Sequence, residues 1–200
     1  VVVILQQGRI ERLGLHDGVP LYAFFGGITM ELLRQQLIAY RPWNEQEERD
    51  REELLRRLDS HEDLYTRANT AAHFTASAWV VSPDRKQVLM AYHRLYDSWA
   101  WLGGHADGDR DLLAVALREV REESGLAEVR PVSEDLYSLE ILTVDGHEKH
   151  GRYVSSHLHL NVTYLLEADP SAAIRPKPDE NSRALQASSS SGAVHPCHHN

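Results

Sequence analysis

The chain has 200 residues, 42% hydrophobic and 26% charged, with a formal net charge of -9. That length and apolar content suit one domain with a real core, and the acidity disfavours binding to the backbone of duplex nucleic acid. There is no run of about 18 apolar residues to span a membrane, the opening turns polar too early for a secretory leader, and the single cysteine, Cys197, forms no internal disulfide, so a cytoplasmic protein is expected.

Residues 1–29 precede Met30 and read either as an upstream or non-native extension or as a strand pair, VVVIL with LYAFF. Residues 30–60 read as an N-terminal helical segment. MELLRQQL opens one amphipathic helix, and Asn44 with Glu47 forms a capping pair for a second helix reaching Leu58. The short stripe Leu54, Leu55, Leu58 makes that second helix a solvated accessory. From Ala72 the hydrophobic period changes to two, and AHFTASAWVV and QVLMAYH flank residues 82–86 as a strand, turn and strand. A short apolar segment over 99–102 stops at Gly103-Gly104, a helix follows to Ser124, and strands are expected over 137–144 and 153–167. Strands, one central helix and further strands define an α+β fold. Prolines and a serine run follow Asp169, so residues 181–200 are expected as a disordered tail.

The central helix carries the chemistry. Leu113, Ala116, Leu117 and Val120 fall on one stripe at 3.6 residues per turn and can pack on a sheet. Glu119, Glu122 and Glu123 stand at i, i+3 and i+4, so their carboxylates project together and repel by a few tenths of a kcal/mol per exposed pair. Arg118 offsets part of that charge. Mg²⁺ or Mn²⁺, hard cations that prefer carboxylate oxygen, would offset the rest. Asp109 or Asp111 can cap the first turn, and Gly125-Leu126 has the pattern of a left-handed stop. The second helix is the internal control: Glu45, Glu47, Glu48, Glu52 and Glu53 are as acidic, yet lie among arginines with no glycine loop before them.

The segment GGHADGDRDLLAVALREVREESGL resembles the Nudix box, Gly-x5-Glu-x7-Arg-Glu-U-x-Glu-Glu-x-Gly-U, with U a bulky aliphatic residue. Gly104, Arg118, Glu119, Val120, Glu122, Glu123, Gly125 and Leu126 match it. One position departs, where Arg110 stands for the first glutamate between Asp109 and Asp111. The resemblance implies a Nudix domain over residues 61–180, an α/β/α sandwich around a mixed sheet. Nothing after residue 180 resembles the family's closing strand and helix, so both are expected to be missing and an apolar face left exposed.

By the same resemblance Glu119 and Glu123 would be the main metal ligands. Glu122 would be a further ligand or the base, the Gly103 carbonyl a backbone ligand, Arg118 an orienting group, and Glu180 an additional catalytic glutamate. The implied reaction is hydrolysis by metal-activated water of a nucleoside diphosphate linked to another moiety, so the partner is a small phosphorylated substrate of the nucleotide type. Arg110 and the altered C-terminus motivate the rival reading, a catalytically weak or inactive nucleotide-binding sensor.

In the strand over 153–163 the alternation groups Ser155, His157, His159, Asn161 and Thr163 as a cleft lining or a solvent-facing side. The His-x-His pair also suggests a cupin-like metal site, set aside because no carboxylate pattern accompanies it. His105 lies in the glycine loop, within reach of a phosphate, and His73, His93, His147 and His150 receive no role. Trp99 and Trp101 read as core. Cys197, His198 and His199 sit in the tail and lack supporting groups for a metal.

Overall fold

The computed structural model describes residues 32–60, 62–93, 98–149, 151–175 and 181–188. The alternatives for residues 1–29, Glu180, and the chain beyond 188 lie outside the described residues. Three helices and nine strands are seen among the described residues, in the order α1 (Leu32–Ala39), α2 (Glu45–Leu58), β1 (Ala72–Val81), β2 (Gln87–His93), β3 (Ser98–Ala100), β4 (Leu102–His105), α3 (Leu112–Ser124), β5 (Val129–Val144), β6 (His147–Lys149), β7 (Arg152–Val154), β8 (His157–Ala168) and β9 (Asn181–Ser188). The α+β expectation and its hairpin hold.

The main sheet is mixed. β1 runs parallel to β8 along its whole length, with Ala72 opposite Leu158 and Val81 opposite Glu167, and β5 pairs antiparallel with the other side of β8. On its second side β1 pairs antiparallel with β2 only at Val80 and Val81, then with β4 from Thr75 to Ala78. That handover brings the glycine segment, rather than a hairpin arm, beside the centre of the sheet. β6 and β7 form a separate two-stranded ribbon.

Period-two patterning sorts the central strands into two rows. Phe74, Ala76, Ala78 and Val80 of β1 and Leu160, Val162, Tyr164 and Leu166 of β8 join one core with Leu33 and Leu37 of α1, Leu54 of α2, and Leu112, Val115, Ala116 and Val120 of α3. Burying each large side chain of this kind contributes about 1.5–3 kcal/mol. α3 keeps half of the expected stripe: Ala116 and Val120 are buried together with Leu112 and Val115, while Leu113 and Leu117 are half-buried against the same core. The helix starts one residue after its Asp111 cap, and that phase sets which residues meet the sheet. Nor is α2 merely solvated. Leu54 is fully buried, and Asp50 accepts a hydrogen bond from the Ile141 amide of β5 at 3.1 Å.

Two expectations about the C-terminal part are corrected. Residues 181–188 are not a structureless tail: β9 pairs antiparallel with β2, Gln87 opposite Ser188 and Tyr92 opposite Arg183. NSRALQAS has no β-branched residue and one large apolar one, so propensity gives no strand signal; the open edge of β2 supplies the partner groups. The expected exposed apolar face is also not seen among the described residues. The second row of the sheet carries His73, Thr75, Ser77, Asn161 and Thr163, all buried, and of its large apolar side chains only Trp101 and Leu142 are exposed. No helix among the described residues is long and apolar enough to cross a membrane.

Candidate active site

β4 is read on both sides. A Cβ at Gly104 would lie 2.5 Å from the Glu119 carboxyl carbon, and one at Gly103 would lie 2.6 Å from the Ala76 carbonyl and 2.7 Å from Ser77. Gly104 thus yields its side-chain space to the α3 carboxylate, and Gly103 yields its own to the backbone of β1. His105, two residues beyond Gly103, falls on the Gly103 side.

The loop between β4 and α3 is tied by short-range acids. Asp109 accepts from the Asp111 amide at 3.0 Å, and Asp111 caps α3 by accepting from the Ala114 amide at 3.0 Å. Arg118 spans loop and helix: its guanidinium reaches Asp109 at 3.5 Å, the His105 carbonyl at 3.4 Å and Glu119 at 3.3 Å. Each contact is long, and the value of the arrangement is positional. At the far end Gly125 has φ 73°, its amide donates to the Arg121 carbonyl, and Leu126 is buried, which is the stop the sequence predicts.

Of the site residues expected from sequence, Gly103, Arg118, Glu119 and Glu123 are half-buried and Glu122 is exposed, all at the β4–α3 corner; Glu180 lies outside the described residues. Arg110 turns to the opposite neighbour, its guanidinium 4.6 Å from the centre of the Tyr65 ring. Asp109, next in sequence, is the acid that meets Arg118. The Glu119 carboxylate in the space left by Gly104, with two further carboxylates on α3, fits a hard divalent cation by donor chemistry.

The second row of the sheet forms a polar floor. Thr75 and Ser77 both donate to the Asn161 carbonyl oxygen, at 2.9 and 2.8 Å, and the Asn161 amide reaches Thr163 and Glu140. At Asn161 and Thr163 this floor is buried, so that part of the alternating side of β8 does not face solvent, while His157 and His159 are half-buried. At one end Trp79 and Trp101 pack with ring centroids 6.1 Å apart, and Trp99 meets Tyr92 edge-on at 5.3 Å. Trp101 is 37% exposed rather than core, because the even-numbered Leu102 takes the inward position of the strand.

At the other end lie three histidines that the sequence reading did not bring together: His73 received no role, His105 was placed near a phosphate and His159 in the polar row of its strand. His73, His105 and His159 each bring a ring nitrogen within 4.8 Å of the others. Burial first, then the positive field of Arg67, pushes His105 down to about 4; burial and the neighbouring histidines push His159 down to about 3. His73 is also lowered, by burial against the opposing effect of the Asn69 carbonyl. Only the register, His73 opposite His159 and Thr75 opposite His105, brings them together.

The family model described as NUDIX domain matches residues 71–188, and the chain belongs to that family, an enzyme of the pyrophosphohydrolase class. Among solved structures it is similar to a NUDIX family hydrolase from Clostridium perfringens, at 23% identity and TM-score 0.41, over 58% of this chain and 81% of that one. It is similar also to the E. coli dihydroneopterin triphosphate pyrophosphohydrolase, at 17% identity and TM-score 0.43, over 56% and 77%. A C. elegans Ap4A hydrolase aligns at 17% identity and TM-score 0.37, over 57% and 79%. No curated protein matches the chain.

Proposed function

We propose that this enzyme hydrolyses a nucleoside diphosphate linked to a second moiety, using Mg²⁺ or Mn²⁺ held by Glu119 and Glu123 with the Gly103 carbonyl as a further donor. The observation that carries the reading is the Glu119 carboxylate seated in the space that Gly104 leaves open, beside the guanidinium of Arg118. When bound, the cation supplies Lewis acidity and neutralises the diphosphate oxygens. Arg118 keeps Glu119 oriented through its hold on the loop. Glu122, exposed and one turn from Glu119, accepts the proton of the attacking water as the new P–O bond forms and the P–O–P bridge breaks. Glu180 is a second candidate for that base.

Trp101 and Trp79 offer an aromatic surface for the nucleobase on the same side of the sheet as Ser77 and Gly103. Two features favour catalysis over the sensor reading. Arg110 lies against Tyr65, and Asp109 meets Arg118 where the box has its first glutamate nearby. The single cysteine supports a cytoplasmic setting. The test is a turnover screen with Mg²⁺ or Mn²⁺ over nucleotide sugars, dinucleotides, coenzyme A derivatives and oxidised nucleoside triphosphates. Turnover of at least one, lost in Glu123→Gln, is expected; tight binding of one compound with no turnover of any would instead make the protein a sensor.

A further inference from the structure

We infer that His73, His105 and His159 form a second metal site, a three-imidazole centre for a zinc-type divalent ion, on the opposite side of β4 from the α3 carboxylates. The ligand atoms come from three strands, β1, β4 and β8, and already lie within 4.8 Å of one another. A tetrahedral ion with Zn–N distances of about 2.0–2.1 Å holds its nitrogens roughly 3.3 Å apart, so each ring needs an inward shift of less than about 1 Å. Rings on adjacent paired strands can make that shift by side-chain rotation.

The supporting hydrogen bonds are those ligation requires. His73 is 4% exposed; its Nδ1 lies 3.0 Å from the Asn69 carbonyl, and its buried Nε2 has no hydrogen-bond partner among the described residues. A carbonyl only accepts, so Nδ1 carries the proton and Nε2 presents a bare lone pair to the cluster. A ligand histidine held in one tautomer by a backbone carbonyl is the usual arrangement around a protein-bound metal. His157 repeats it: its Nδ1 lies 2.8 Å from the Ser155 carbonyl and its Nε2 3.2 Å from His159 Nε2. His157 therefore accepts from the His159 Nε2–H and orients that ring, which leaves His159 Nδ1 as the atom that ligates.

The donor set selects the ion. Imidazole suits zinc, cobalt and nickel, whereas magnesium and manganese favour the oxygen donors of α3. Three protein ligands leave a fourth position open, as catalytic rather than structural zinc sites do. That position is where an anionic group of a ligand would bind.

The inference stands independently of the carboxylate reading, and one experiment separates them. Full-length protein stripped with chelator is titrated with Zn²⁺ by calorimetry and with Co²⁺ by visible absorption. Because His195, Cys197, His198 and His199 are themselves donors, the titration is run in a background with those four residues changed to serine. The expected result is one tightly bound Zn²⁺ per chain, intense Co²⁺ bands of a four-coordinate centre, and loss of both in His105→Gln and His159→Gln. Glu119→Gln and Glu123→Gln should retain them. Zinc binding that survives the histidine changes, or disappears with the glutamate changes, overturns the inference, and the latter outcome leaves the carboxylate site standing. Imidazole resonances of His73 and His159 that fail to shift when Zn²⁺ is added to the unmutated chain would overturn it without any variant having to fold.

Discussion

α2 and α3 are both acidic amphipathic helices, and they use their acids in opposite ways. In α2 several acids are answered by neighbours close in sequence: Glu53 pairs with Arg56 and Arg57 at 2.6 and 2.7 Å, Glu52 with Arg49 at 3.2 Å, and Glu47 receives the Trp43 amide at 2.7 Å. In α3 the acids sit beside a glycine strand whose missing side chain makes room for one of them. Acid content alone therefore does not mark a site. What distinguishes α3 is the backbone that approaches it and an arginine spent on orientation rather than on neutralising a partner.

The contrast breaks most visibly at Glu123. Glu123→Gln should lower metal-dependent turnover by on the order of 10³-fold while the thermal midpoint stays near wild type, read from steady-state rates and a calorimetric melt. The two glycines should fail differently. Gly103→Ala drives a Cβ into the β1 backbone and should destabilise the fold by about 1–3 kcal/mol in urea unfolding. Gly104→Ala meets only the flexible end of Glu119, so stability should hold while activity falls roughly 10²-fold through a displaced carboxylate. Equal loss of stability in both would remove the distinction between the two sides of β4.

Smaller effects sharpen the comparison. Glu167, buried between Arg130 and Arg85, has its carboxyl held below the usual 4.5, first by Arg130 and then by Arg85. A depressed folded value adds stability that is complete above the unfolded carboxylate range and is lost as pH falls through the folded value. Glu167→Gln should therefore cost about 1–2 kcal/mol at neutral pH, with a flatter decline of stability below pH about 4.5. Glu53→Gln in α2 should cost at most about 0.5 kcal/mol and leave turnover unchanged.

The box, both caps of α3 and the β1–β2 hairpin were legible because each depends on neighbours close in sequence. Asn44, Asp111 and Gly125 act within one turn of themselves, so spacing alone reveals them. β9 was illegible because its strand character is lent by β2 rather than carried by NSRALQAS. The buried face of α3 is legible only in part, at Ala116 and Val120, since Leu112 and Leu113 are equally apolar and only the sheet selects between them. Most of all, His73, His105 and His159 are spread over 87 positions and meet only through strand register, which no local pattern encodes.

β4 is four residues long, and its neighbours on either side depend on which residue faces which way. Loss of one residue between Leu102 and His105 would place an imidazole against Glu119, and insertion of one would place a glycine among the histidines. The length of this strand is thus fixed by two chemistries at once.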